Sequence, residues 1–534
     1  MANSLDNLPN DIEELKRLVV EQSQQLHHQA DQLKRQNQLI DGLKKELYGR
    51  KSEKLTEEEK IQVRLFNEVE DGATKEDDVT TAKVASHKRR KRGRKPISPD
   101  FPRTEVIHDI SEEDKICACG HELSRIGEET SEQIDIIPMD IKVLRHVRPK
   151  YACKKCEGTA TEGIEPTVKI AKIPEQMLPK SLSSPGLLAH TLTAKFCDAL
   201  PFYRQEKIFK RFGLELPRST MCNMAIGVYE RLDRYLDQMF KELLSGPVLF
   251  IDETPVQVLK EPGKKNTSKS YMWVLRSGDP KKPVVWYTYQ PTRSAAFLLN
   301  LLKGYQGAVL TDGYESYSKV LAELKIPHAG CWVHARRKFK NAFDQTKKAA
   351  GENKATQTDA AHALAVISKL YELDKVISWV KNTAKKKARR QNEIQPLLTE
   401  FFDWLQQQAA TTTPRSLLGE AIHYTIKQWP KLVTFLEYPD VPLDNNPVEN
   451  SIRPFVLGRK NWLFSGSPRG ADASAAIYSI IETAKANGHE PYWYLRFLFM
   501  EYPKIQSEKE INSLLPQNQN YAELYKRLRL GAVG

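Results

Sequence analysis

Between residues 247 and 339 the chain writes three consecutive β-rich runs and then alternates helix with strand, an order that few folds satisfy. PVLFIDETPVQVL (247–259), KSYMWVLRSG (269–278) and PVVWYTYQ (283–290) are rich in β-branched and aromatic residues. They are divided by GKKNTS and GDPKK, so they read as an antiparallel meander. Helical spacing follows over Ser294–Leu302, then an apolar strand over Gly307–Thr311, another helix, and the run HAGCWVHARRKF (328–339). The resulting βββ-α-β-α-β order predicts an α/β core of the ribonuclease-H-like kind.

Two carboxylates fall where strand physics argues against them. Asp252 interrupts VLFIDET, in a strand that otherwise reads as buried. Aspartate is depleted in strands, and a buried carboxylate without a partner is strongly unfavourable, so a bound cation is one natural compensation. Asp312 ends AVLTDGY, although Asp-Gly is also an ordinary turn signal. A third carboxylate, Glu449, lies in LDNNPVENSIRPFVLGRKNW. There Asn446 as N-cap, Pro447 at the first helical position and Glu449 at the third form a capping-box pattern. Arg453, four residues on, could also pair with Glu449.

The remaining chain is organised in modules. Ile12, Val19, Leu26, Leu33, Ile40 and Leu47 recur at seven-residue spacing, which predicts a self-associating coiled coil with a weak, polar second seam at Ala30, Asn37 and Lys44. Apolar periodicity then stops, and Lys88–Lys95 (KRRKRGRK) holds seven basic residues in eight. Such a run attracts phosphate, and Arg92-Gly93-Arg94 with Lys95-Pro96 could also enter a narrow minor groove. Two close cysteine pairs, Cys117/Cys119 and Cys153/Cys156, flank alternating strand-like sequence. The C-x₂-C pair suits one tetrahedral zinc; the shorter C-x-C is less usual, and His121 could replace one of its members. Arg204–Phe212 and Ser219–Asp237 read as two helices parted by Gly213 and Pro217, with Ser219 as N-cap, a helix-turn-helix pattern shared by many helical hairpins.

Composition sets outer limits. The chain has 534 residues with 81 Lys+Arg against 68 Asp+Glu, a net charge of +13 that fits a polyanionic partner. No run approaches the ~20 apolar residues of a membrane span, and the acidic N-terminus lacks a signal-peptide core, so a cytoplasmic protein is expected. Seven cysteines in this length do not make a disulfide scaffold.

Taken in order, DET (252–254), TDGY (311–314), CWVHARRKF (331–339), DNNPVENSIRP (444–454) and GRKNWLFSGSPRGA (458–471) resemble the IS66 family of bacterial insertion-sequence transposases. LYGRKSEKL (47–55), the CACG…CKKC region and DALPFYRQEKIFKRFGLELPRST (198–220) resemble it too, so the likeness runs nearly end to end. Asn450 departs from it, where an arginine is expected after the glutamate. The resemblance implies a DDE transposase with Asp252, Asp312 and Glu449 as catalytic triad, holding two Mg²⁺ (or Mn²⁺) ions, and a helical insertion near 341–440.

The expected arrangement is therefore an α/β multidomain chain. It comprises a coiled-coil arm (1–50), a basic linker with an AT-hook-like segment (51–104), a zinc module holding one ion on Cys117, Cys119, Cys153 and Cys156 (105–165) and a helix-turn-helix-like DNA-binding region (166–240). An RNase-H-like core follows in two parts (241–340 and 441–490) around the insertion, with a C-terminal region at 491–534. Arg92, Arg94, Lys95, Arg336, Arg337, Lys338, Arg453, Arg459 and Lys460 are expected to contact DNA phosphates, and the Lys385–Lys387 and Arg389–Arg390 cluster could join them. Cys331 and His334 read as structural, and Trp462 and Phe464 as core aromatics in preference to base-stacking wedges. The expected partners are element-end and target DNA and a second copy of the chain, with element-encoded accessory proteins implied by the resemblance; the expected location is the bacterial nucleoid. A non-catalytic DNA-binding regulator is the alternative, and intact carboxylates weigh against it.

Overall fold

The computed structural model describes residues 141–151, 169–172 and 174–532. The chain divides into two units, residues 49–142 and residues 1–48 with 143–534, and the account below concerns the second. The expected coiled coil, basic linker and zinc cysteines lie outside the described residues. Next to that region, β1 (Lys150–Tyr151) pairs antiparallel with β2 (Lys169–Ile170).

Four helices come first: α1 (Pro185–Phe196), α2 (Phe202–Arg211), α3 (Arg218–Arg231) and α4 (Asp233–Leu244). Ser184 caps α1, its hydroxyl accepting the Leu187 N–H at 3.2 Å. The single helix expected over 219–237 is two helices, because the chain leaves helical geometry at Leu232 (φ −95°, ψ 16°). Pro217, not Ser219, occupies the N-cap of α3, and no side chain caps it.

The sheet then forms in the expected order: β3 (Val248–Val258), β4 (Lys269–Ser277), β5 (Val285–Gln290), α5 (Ala295–Leu301), β6 (Ala308–Thr311), α6 (Glu315–Glu323) and β7 (His328–Gly330). Its spatial order is β5-β4-β3-β6-β7, with β3–β4–β5 antiparallel and β6 and β7 parallel to β3. The central strand β3 is buried at Val248–Ile251, as its apolar run requires.

A helical insertion follows: α7 (Trp332–Ala350), α8 (Glu352–Ala355), α9 (Asp359–Ser378), α10 (Thr383–Arg389), a π-turn at Arg390–Ile394, α11 (Gln395–Thr411) and α12 (Leu417–Leu432). The chain returns to the sheet as α13 (Asn446–Trp462), β8 (Phe464–Ser465) and α14 (Pro468–Ala486). Edge strand β5 is closed by α14, whose Ser479 and Thr483 hydroxyls accept the N–H groups of Tyr287 (2.8 Å) and Val285 (2.9 Å). A free strand edge would otherwise invite pairing with another chain. The aromatic helix α15 (Pro491–Glu501) packs on α1, and α16 (Glu508–Leu514) and α17 (Tyr521–Ala532) complete the fold.

Candidate active site

Asp252 sits in the middle of β3 and Asp312 directly after β6, the strand parallel to it. These two strands pair from Val248↔Ala308 to Phe250↔Leu310, and two residues further along that register Asp252 comes level with Asp312. The Asp312 carboxylate accepts the Tyr314 N–H at 3.0 Å and so shapes the turn; the Thr311 hydroxyl donates to the Asp312 carbonyl at 2.8 Å. That turn needs glycine for a reason other than φ: a Cβ on Gly313 would stand 2.9 Å from the Tyr424 hydroxyl of α12.

Glu449 enters from the far side of the insertion, in the first turn of α13. The N-cap is Asn445 rather than Asn446, and no side chain caps the helix, so the expected capping box is not formed. Glu449 is therefore released from a local role; its side chain is buried and its Oε1 has no hydrogen-bond partner. The helix is fixed from below by Arg276 of β4, which donates to the Pro447 carbonyl (3.3 Å) and the Ser451 hydroxyl (2.9 Å), and by the Tyr287 hydroxyl bonded to the Ser451 carbonyl.

The electrostatics of this cluster are unfavourable as they stand. Burial, then the charges of Asp312 and Glu449, push Asp252 well above the ordinary carboxylate range, and Arg293 partly offsets this. Arg293 forms an ion pair with Glu253 and lies flat on Tyr314, 3.4 Å from the ring centre, while the Tyr317 hydroxyl donates to the same Glu253. Glu253, next to Asp252 in the sequence, is thus fully engaged and is distinct from the acid cluster. Sequence reasoning missed Arg293 and Tyr317, since neither belongs to a recognisable spacing.

Cys331 and His334 border the site at the start of α7. Cys331 Sγ, His334 and Glu449 offer ligand atoms within 4.8 Å of one another. Burial pushes the Cys331 thiol up to about 12, and its sulfur accepts the Asn445 N–H at 3.3 Å. The protonated thiol ties the start of α7 to the N-cap of α13. The Trp332 N–H strengthens the tie by donating to the Leu443 carbonyl at 2.9 Å.

Among the expected DNA-contacting cations, Arg337 stands 3.9 Å from Glu449, and Lys338 lies over Tyr424 at 4.9 Å; Arg336 is exposed. Arg459 donates to the Thr254 hydroxyl at 3.2 Å, two positions along β3 from Asp252. Arg453 and Lys460 lie on α13, and Arg92, Arg94 and Lys95 fall outside the described residues. Arg390 does not belong with a DNA-facing cluster: it is buried, bonded to Asp374 (2.8 and 3.3 Å) and to the carbonyls of Phe435, Pro439 and Val441. Phe464 is not a core aromatic either, because β8 only skirts the end of β3 and leaves the ring 45% exposed.

Comparisons with known proteins agree along most of the chain. Residues 180–473 match the transposase IS66 family, residues 114–157 the zinc-finger binding domain of transposase IS66, residues 25–106 the description "Transposase C of IS166 homeodomain", and residues 479–517 the IS66 C-terminal element. Two uncharacterized proteins of Sinorhizobium fredii (strain NBRC 101917 / NGR234) are similar to it. The first, y4jD, is 28% identical over 96% of this chain and 97% of its own length. The second, y4qI, is 28% identical over 89% of this chain and 87% of its own. No solved structure matches. With more than half its length inside one family match, and the zinc-finger and C-terminal matches flanking it in order, the chain belongs to the IS66 transposase family.

Proposed function

We propose that the chain is a DDE transposase that binds the terminal inverted repeats of its element, nicks the DNA with water and joins the freed 3′-OH to target DNA. Asp252, Asp312 and Glu449 are the residues that would hold two Mg²⁺ (or Mn²⁺) ions on an RNase-H-like core. The observation that carries this reading is the gathering of three carboxylates, Glu449 buried and Asp252 and Asp312 half-buried, with one cation, Arg293, among the charges that act on Asp252. The donor set fits hard divalent ions, which prefer carboxylate oxygens, and the Glu449 Oε1 has no hydrogen bond to give up, with His334 Nε2 standing 3.7 Å away. When bound, two such ions activate an attacking oxygen and stabilise the leaving one.

The surrounding residues have separate tasks. Arg293 engages Glu253 and holds it apart from the triad. Arg276, Cys331 and Trp332 fix the start of α13, so Glu449 meets the two aspartates on a rigid element. Arg336, Arg337, Lys338, Arg453, Arg459 and Lys460 would contact phosphates beside the site. α2 and α3, with Gly213 (φ +81°) in the connection, would serve as a helix-turn-helix. The zinc module on Cys117, Cys119, Cys153 and Cys156, the basic segment with Arg92, Arg94 and Lys95, and the coiled-coil arm would add grip and self-association.

The deciding experiment uses duplex DNA from the sequence flanking the gene. Wild type and Asp312→Asn are incubated with it in Mg²⁺ or Mn²⁺, and products are mapped to the nucleotide. The expected result is a metal-dependent nick leaving a 3′-OH at the repeat boundary, absent in the variant. Tight binding without a nick under any metal would instead favour a non-catalytic regulator. Metal analysis should also find one zinc per chain, lost in a Cys153→Ser/Cys156→Ser variant.

A further inference from the structure

The turn from α13 into β8 carries a strained, exposed leucine. Leu463 has φ +65° and ψ −52°, a γ-turn of the disfavoured hand in a region that favours glycine. Such strain persists only where the surroundings enforce it and clusters at functional sites. Here it does not serve packing: Leu463 is 63% exposed and Phe464 45% exposed, side by side. The turn is firmly held on both sides, by the Leu463 N–H on the Arg459 carbonyl (2.7 Å) and by the Leu259 N–H on the Ser465 carbonyl (2.9 Å).

The charges around this apolar tip specify what could meet it. From Asn450 to Ala471 the sequence carries Arg453, Arg459, Lys460 and Arg469 and no acid, although Arg469 pairs with the exposed Glu230 of α3. Beside β8, the β3–β4 hairpin carries Lys260, Lys264, Lys265 and Lys269 with one acid, Glu261, which is buried. Two exposed apolar side chains rimmed by cations match a polyanion with an apolar interior, which is duplex DNA. α13 also runs from Glu449 to this tip, with Arg459 reaching Thr254 of the strand that holds Asp252.

We propose that Leu463 and Phe464 form an apolar wedge that enters the base stack of DNA lying along the α13 ridge and unstacks a step beside the acid cluster. Minor-groove and architectural binders use such side chains to open base steps at the expense of stacking. The proposal rests on the reading of the chain as a DNA-cutting enzyme and names the residues that would deform its substrate.

The test uses the full chain and element-end duplexes carrying 2-aminopurine at successive positions, with Ca²⁺ in place of Mg²⁺. Saturating wild type should brighten one or two adjacent positions several-fold. Leu463→Ser/Phe464→Ser should bind but lose the rise, and its nicking in Mg²⁺ should recover on a duplex mismatched at the brightened step. Lys460→Ala should weaken binding and keep the rise at saturation. Leu463→Gly, which adopts positive φ without strain, should melt no lower than wild type and still lose most of the rise. An undiminished rise in the double variant, or a lowered melting temperature in Leu463→Gly, overturns the wedge. A wild type that nicks while no position brightens also overturns it and leaves the enzymatic reading standing. A wild type that brightens a step but never nicks does the reverse.

Discussion

Arg390 is a buried charged side chain and Asp252 a half-buried one, and they are satisfied in opposite ways. Every guanidinium nitrogen of Arg390 has an acceptor, two on Asp374 and three on the carbonyls of the strap that follows α12. Asp252 accepts one short bond, from the neighbouring Glu253 N–H at 2.8 Å, and then faces Asp312 and Glu449. The first cluster is complete without any ligand. The second is held together by the packing of the sheet and α13, and its negative charge is only partly offset, by Arg293 and by Arg337 at 3.9 Å from Glu449, which suits the proposed cation. A closed network maintains shape, whereas an open one of like charges stores binding energy for something absent from the chain.

Four measurements would break or sharpen this contrast. The largest effect should come from Arg390→Met, which leaves Asp374 buried and unpaired. It should cost about 3–5 kcal/mol in chemical denaturation, and Asp374→Leu added to it should recover much of the loss. A single Arg390→Met within error of wild type would remove the closed half of the comparison. Next, Mg²⁺ at a hundred times its Kd should stabilise the wild type by about 2.7 kcal/mol, and Asp252→Asn/Glu449→Gln should show no such gain. Equal stabilisation of both proteins would place the ion elsewhere.

A smaller effect is expected from pH. A carboxyl whose folded pKa is raised keeps its proton in the folded state at pH values where the unfolded chain has lost it. Without metal, the Asp252 contribution should therefore favour folding near the usual carboxylate pKa of 3.8 and decline as pH rises above it. Asp252→Asn should flatten that decline and raise the neutral-pH melting temperature while abolishing cleavage. A lower melting temperature for the variant would mean the carboxylate is structural. The smallest change should come from Lys385→Ala on exposed α10, within about 0.5 kcal/mol of wild type.

The contrast also shows how far residue patterns reach. The strand runs and the alternation after them were legible because period-2 and buried-strand patterns are local, and the observed strand order agrees with them. Asp252 stood out because a carboxylate contradicts its own strand. Arg390 was misread with the Lys385–Lys387 run, since a charge string looks solvated whether or not a π-turn rotates one member inward. Glu449 carried a plausible local explanation, the capping box, which a one-residue shift of the helix start removes. Phe464 reads as core by composition, and only its position at the end of β3 exposes it.

The family, the α/β class, the order of the strands along the chain and the three acids proposed for the site are legible in the residues alone, because these follow from local pattern and from motifs in fixed order. The tertiary structure decided which charges face one another. Asp252, Asp312 and Glu449 are separated by 60 and 137 positions, and only the parallel pairing of β3 with β6 and the docking of α13 on β4 make them one cluster. Repulsion and desolvation depend on distance in space, which no spacing along the chain encodes.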